Sequence, residues 1–455
     1  MAEKRDSMKQ MIIVGGGAAG MMTAIHAAEN YKVLLLEKND KLGKKLFITG
    51  KGRCNLTNAC DEETFLRNVM SNPKFLFSAI AAYTPQDVMD SFESWGLKLK
   101  TERGNRVFPA SDHSSDVIRT LEQEMKRRGV EVRLSAHVTA VSPIFASAAT
   151  KNDVQNMDDE KGIDYPADGM NGDDSVSEQQ ITGWTVRLSD RSTLQADVVV
   201  LATGGISYPG TGASGEGMEF LKALDLTVRP FQPSLVPFTS DISLCKPMMG
   251  LSLKNVEASV YRLSKPKKPV YKEFGEMLFT HFGVSGPLIL SASGLLQKYF
   301  TPEGLPKEDL ELRIDWKPAL TAEQLDQRVL RDFEKAKNKT AVHAVEELLP
   351  RLAIPVILSA AGIPEDRRVH DITQEERRRL VETLKAFRLP VTGLRGFDEA
   401  IISAGGLSVK EIDPRTMEVK RFPGLRVAGE MMDLDALTGG FNLQIAWCTA
   451  KLAAQ

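Results

Sequence analysis

The stretch "MIIVGGGAAGMMTAIHAAENYKVLLLEK", Met11 to Lys38, constrains this chain more than any other. A short apolar run turns on glycine, continues as an apolar-rich helix and returns as the second strand "KVLLLEK". Gly15, Gly17 and Gly20 fit GxGxxG: the first for a tight turn, the second for close approach of a pyrophosphate, the third for helix-on-strand packing. The start of the helix, at Gly16, Ala18 and Ala19, offers unpaired N–H groups and about half a positive charge to phosphates. Glu37 closes the second strand, with Lys38 next to it. A carboxylate there accepts from both ribose hydroxyls and repels a 2′-phosphate. An adenine dinucleotide is therefore expected, and the fingerprint alone leaves NAD and FAD open.

Four further segments narrow the choice. "GKKLFITGKGRCNLTN", Gly43 to Asn58, follows the first βαβ unit and is too charged for core. Its Gly43, Gly50 and Gly52 allow close backbone approach, Lys44, Lys45, Lys51 and Arg53 offer positive charge, and Asn55 and Asn58 offer amides. "ADVVVLATGG", Ala196 to Gly205, reads as a buried strand running into a glycine turn at Ala202, Thr203 and Gly204. "EMLFTHFGVSGPLIL" spans Glu276 to Leu290. In the tail, Gly424 to Ala454, a strand ends at Gly429-Glu430 and a helix opens after Gly439 and Gly440. Backbone N–H groups of Asn442, Leu443 and Gln444 at that helix start would face a cofactor edge where negative charge gathers, which in a flavin is the N1/O2 edge on reduction.

On these segments the chain resembles the HI0933-like family of FAD-dependent oxidoreductases, which share only the FAD domain with two-dinucleotide-binding-domain flavoproteins. The resemblance implies an α/β fold: a Rossmann-like FAD-binding domain of the GR2 type with a β-meander, carrying an inserted β-barrel-like domain and a small helical domain. It implies FAD held non-covalently, with "GRCN", Gly52 to Asn55, against the flavin. The expected domains are 1–206 (first part of the FAD domain), 207–318 (barrel), 319–389 (helical insert), 390–405 (return strand) and 406–455 (rest of the FAD domain). Val138, in the meander, would meet the adenine edge. Cys54 beside a flavin is read as a small packing thiol, with a redox role open, and His281 as a candidate wall of the substrate cavity.

Composition sets the remaining limits. The 455 residues are 42% hydrophobic and 26% charged, with a formal net charge of -2, so no overall field draws a polyanion. Nucleic acid and membrane partners are not expected, nor is a signal peptide. The basic runs Lys265–Lys268 and Arg377–Arg379 have acids nearby and read as solvated faces. The four cysteines lack metal or disulfide spacing, which suits a cytoplasmic protein. Residues 146–180 are acidic and almost free of aromatics, and read as a disordered hairpin loop. Helices are expected over 61–128, with Ser115 or Asp116 capping the clearest. No catalytic acid or base, metal site or second GxGxxG emerges, so a flavin must carry the chemistry. The leading expectation is hydride transfer to or from a small or medium organic substrate, as a reductase rather than an oxidase, with NAD(P)H binding transiently over the flavin. The alternatives are a flavin-dependent RNA-modifying protein and a non-enzymatic flavin-binding regulator. Substrate and oligomeric state are left open.

Overall fold

Why does the first βαβ unit sit at the centre of the molecule? In the computed structural model, which describes residues 8–146 and 180–455, its first strand is the middle of a five-stranded parallel sheet and its second lies alongside. The order is Leu425–Val427, Val198–Leu201, Gln10–Val14, Lys32–Leu36, Glu131–Arg133. Strands buried on both faces must be continuously apolar. Met11, Ile12, Ile13, Leu35, Val199, Val200 and Leu201 are fully buried. The helices Ala18–Ala27 and Phe441–Ala453 pack against each other over this sheet, bringing the two ends of the chain to one place.

The meander is a three-stranded antiparallel sheet, Val138–Phe145, Ile181–Leu188 and Thr193–Ala196. Apart from Ala146 and Gln180, which share a backbone hydrogen bond, the expected acidic loop lies outside the described residues. Just before the meander, Glu131–Arg133 joins the parallel sheet, and the meander begins at Val138.

The inserted unit is a seven-stranded antiparallel sheet, ordered Phe387–Val391, Leu310–Asp315, Ser252–Arg262, Tyr271–Phe279, Gly283–Ser285, Phe238–Thr239, Gly393–Leu394. Only Thr392 separates its two outermost strands in the chain, so the sheet must curl round on itself. Phe238, Val260, Phe279, Leu312 and Leu389 fill it, together with Leu325, Val329, Leu380 and Leu384 from the helices Ala322–Lys335 and Gln374–Lys385. Capping boxes at Thr321 and Thr373 start those two helices. The arginine run is satisfied locally, Arg377 by Asp326 and Arg378 by Glu375 and Glu382. A two-stranded ribbon, Val228–Ser234 with Ile402–Leu407, carries the chain into and out of this unit.

Two local readings change, and a further helix starts inside the inserted unit. Residues 61–128 are not all helical: Leu99–Glu102 and Arg106–Pro109 form a hairpin that also pairs with Thr57–Asn58. "PLIL" opens a helix, Pro287–Leu295, because proline suits a helix's first position. The helix Ser114–Arg127 starts one residue before the expected caps, after His113, without a side-chain cap.

Candidate cofactor and substrate cleft

A cleft of about 350 Å³ runs from the fingerprint to the C-terminal helix. At one end its wall is Glu37, Ala136 and Val138; at the other it is Gly50, Asn55, Ile401, Gly439 and Gly440. Local sequence explains the narrow seams. A Cβ on Gly20 would stand 1.8 Å from the Gly15 carbonyl oxygen, so only glycine lets the first helix seat on the sheet. Gly440 has φ +101, and a Cβ there would lie 2.4 Å from the backbone of Thr57. Gly17 is different: a Cβ there meets nothing within 4 Å and would point into free space.

The helices Ala18–Ala27, Lys44–Gly52, Glu216–Ala223 and Phe441–Ala453 all start at the cleft, after Gly17, Gly43, Gly215 and Gly440, and none has a side-chain cap. Helices elsewhere carry capping boxes at Thr84, Thr321 and Thr373. Helix N–H groups left without side-chain partners at several points along one cleft suit a ligand that is anionic at one point and electron-accepting at another. FAD fits both descriptions, and the open position at Gly17 leaves room for its pyrophosphate. Glu37 is buried at the wall; its carboxylate accepts from Gly16 N at 2.7 Å and from Asn39 N and Nδ2 at 2.8 and 2.7 Å.

Most residues singled out in the sequence converge on this cleft: Gly15, Gly16, Gly17, Ala18, Ala19, Glu37, Lys38, Lys45, Asn55, Val138, Ala202, Thr203, Gly204, Gly429, Glu430, Gly439, Gly440, Asn442 and Leu443. Some sit there in unexpected partnerships. Lys45 Nζ is 2.6 Å from Glu430 Oε2 and donates to Ser207 Oγ at 2.6 Å, while Glu430 Oε1 accepts from Ser403 N at 2.7 Å. This knot ties the lysine-rich segment, the C-terminal strand and the ribbon of the inserted unit. Lys38 donates to Ser214 and pairs with Glu216, which also meets His137 Nε2 at 2.9 Å. Burial would raise the Glu216 carboxyl, but bonds from Ser214, Lys38 and His137 outweigh it and hold it below the usual range. The Asn442 amide turns back to Ala436, fixing the loop before the helix, so its backbone alone is free for the cleft.

Six expected residues are not on the wall. Gly52 and Arg53 lie outside it: the Arg53 guanidinium pairs with Glu102 and Asp112 and lies over the Phe108 ring, 4.2 Å from its centroid. Cys54 is fully buried with φ +58, and burial, against a weaker pull from Thr49, pushes its thiol up to about 12. A thiol so protonated is a packing group, not a nucleophile. Gln444 is buried between Thr57 Oγ1 and the Tyr83 carbonyl, at 2.7 and 2.9 Å. Gly20 packs behind the wall, and His281 is exposed against Phe282, away from the cleft. Sequence reasoning missed Asn39, His137, Ser214 and Glu216, although the glycine-rich run "SYPGTGASGEG" from Ser207 marks where the last two arise.

Residues 9–163 match the family description "HI0933-like protein Rossmann domain" and residues 232–402 match "HI0933-like protein barrel and H2TH domain", together more than half of the chain. The ribosomal RNA dihydrouridine synthase of Escherichia coli (strain K12) is 29% identical over 98% of this chain and 96% of its own length. The 3-dehydro-bile acid delta(4,6)-reductase of Clostridium scindens is 28% identical over 98% of each chain. Among solved structures, the 3-ketosteroid-delta4-(5alpha)-dehydrogenase from Rhodococcus jostii RHA1 aligns over 99% of this chain and 97% of that one, at 12% identity and a TM-score of 0.49. Among the described residues no helix is long and apolar enough to cross a membrane, and no cluster of potential metal ligands occurs.

Proposed function

The chain belongs to the HI0933-like family of FAD-dependent oxidoreductases, and from that premise we propose that it reduces a carbon–carbon double bond conjugated to a carbonyl, with NAD(P)H as the electron donor. The observation that carries this reading is the single cleft shared by the dinucleotide fingerprint and the C-terminal helix start. The names of two relatives support its direction, since a delta(4,6)-reductase and a dihydrouridine synthase both saturate an alkene next to a carbonyl.

Bound FAD would supply reversible two-electron hydride exchange. Gly15 to Ala19 would hold its pyrophosphate, Glu37 its adenosine ribose, and the N–H groups at Asn442 and Leu443 its pyrimidine edge. There the helix's partial positive charge favours electron uptake. At the same end Leu235, Ile401, Ile402 and Leu434 make an apolar wall that sheds water and suits a flat hydrophobic ring. The titratable groups on the wall are Glu37, Lys38, Lys44, Lys45, His137, Glu216 and Glu430. Among these Lys45 and Glu430 satisfy each other, so their role is to hold the segments together.

We favour a small or medium organic substrate. A uracil ring within RNA is the second reading, carried by the dihydrouridine synthase relatives of E. coli and Haemophilus influenzae. The test is anaerobic: NADH and then NADPH are added to the purified yellow protein, followed by a conjugated ketone or a uracil-containing transcript. Bleaching by a nicotinamide and recovery of colour with one acceptor is expected. Flavin that is reduced but not reoxidised by either acceptor would overturn the proposal.

A further inference from the structure

The three-stranded patch formed by Thr57–Asn58, Leu99–Glu102 and Arg106–Pro109 has two unlike faces. Paired residues of antiparallel strands share a face, and alternate residues along a strand do too. Thr57, Thr101 and Val107 therefore point one way; Thr57 and Val107 are fully buried, and Thr57 is bonded to the C-terminal helix through Gln444. The other face carries Asn58, Lys100, Glu102, Arg106 and Phe108.

That second face borders the reactive end of the cleft at two points. Asn58 Nδ2 donates to the carbonyls of Gly439 and Gly104, both at 3.0 Å, tying the hairpin tip to a cleft-wall glycine. The Phe108 ring lies 3.6 Å from where a Gly50 Cβ would stand, and Gly50 is also on the wall. The charges here do not cancel. Arg53 and Lys100 share Glu102 and Asp112. Arg103 reaches only across to Glu276 of the inserted unit, at 3.9 Å. Arg106 bonds through Nε to the Arg103 carbonyl, and no carboxylate pairs with it among the described residues; the same holds for the exposed Lys51. Arg106, paired across the ladder with Asn58, and Lys51, next in sequence to the wall residue Gly50, thus carry charges that no carboxylate neutralises among the described residues.

We propose that the substrate carries an anionic group, a carboxylate or a phosphate, and that Arg106 with Lys51 receives it at the hairpin edge while its conjugated ring enters the cleft. This inference rests on the reading of the cleft given above. Planar guanidinium donors suit either oxyanion, and in a half-exposed site one such contact is worth about fivefold in affinity.

The test compares ligands identical but for charge: a 3-oxo-4-ene steroid carboxylic acid against its methyl ester, and uridine 5′-phosphate against uridine. Binding is read from the perturbation of the flavin absorption in air-free protein without reductant, so no turnover is needed. For one pair the anion should bind about fivefold tighter at low salt, and the advantage should fade as salt rises. It should collapse in Arg106→Gln/Lys51→Gln and partly return in Arg106→Lys. Preference in the steroid pair assigns a carboxylate, and in the nucleotide pair a phosphate. Equal binding within both pairs, or a preference that survives the double substitution, overturns the inference. In that event reduction of the neutral ester would leave the proposed activity standing, whereas loss of both binding and reduction would sink both.

Discussion

Replacing Gly17 by valine should separate folding from cofactor binding. Gly17 has φ -82 and ψ -168, an extended conformation open to any residue, and an added Cβ meets nothing within 4 Å. The fold therefore gives up little. Losing glycine's freedom in the unfolded chain favours the variant by about 0.4–1 kcal/mol, and valine is a poorer helix cap than glycine by a similar amount. The apo protein should unfold within about 1 kcal/mol of the parent. The new side chain nevertheless grows into the cleft where a pyrophosphate would meet the helix start. Three carbon atoms in that path force the phosphates off the N–H groups, and losing one or two charge-assisted bonds of about 1.5–3 kcal/mol each costs about 100-fold in affinity. Urea unfolding of apo protein and quenching of FAD fluorescence on titration measure the two quantities separately. A Gly17→Val protein that folds normally and binds FAD as tightly as the parent would refute the placement of the cofactor.

Other substitutions probe the packing around the cleft. Gly20→Ala should destabilise the apo protein by about 3 kcal/mol in urea unfolding, because its Cβ overlaps a backbone oxygen. Lys45→Met should cost about 2 kcal/mol by leaving Glu430 with its charge unmatched, and adding Glu430→Gln should recover at least half; a double-mutant cycle with no coupling would show the knot to be inert. His26 is pulled down to about 3 by burial first, then by Lys451 and Arg128 against an opposing Glu124. Its folded pKa lies below its unfolded value of 6.5, so the stability it confers is complete above pH 6.5 and drains away as the pH falls towards 3. Between pH 6.5 and 5 that slope approaches about 1.4 kcal/mol per unit, and His26→Leu should flatten it in pH-dependent urea melts. Cys54 in native protein should resist a disulfide exchange reagent at neutral pH and react once the chain is unfolded; fast labelling of the native thiol would contradict its buried, protonated state.

How far could these arrangements be read along the chain? The fingerprint glycines, Glu37, the glycine turn at Ala202–Gly204 and the "TGG" before the last helix were legible, because each is a local requirement of backbone geometry. The hairpin at residues 99–109 was not. Its strands are short and charged, with only Val107 and Phe108 to signal burial, and they exist because Thr57–Asn58 supplies a third partner from far away in sequence. Nor could the reading of "GRCN" succeed residue by residue. The segment Lys44–Gly52 starts as a helix and breaks at Thr49, Gly50 and Lys51, and those reversals decide which side chain meets the cleft and which meets Phe108.

The order of residues by itself settled that a parallel sheet would present glycine seams from both ends of the chain to one cleft, since close backbone approach and unpaired helix N–H groups are written in single residues and their neighbours. Only the tertiary structure decided the electrostatics. Lys45 and Glu430 neutralise each other, Arg53 spends its charge on Glu102 and Asp112, and Arg106 is left over on the hairpin. Charge in a protein is a property of pairs across space, and the partners of these cations lie up to hundreds of residues away along the chain.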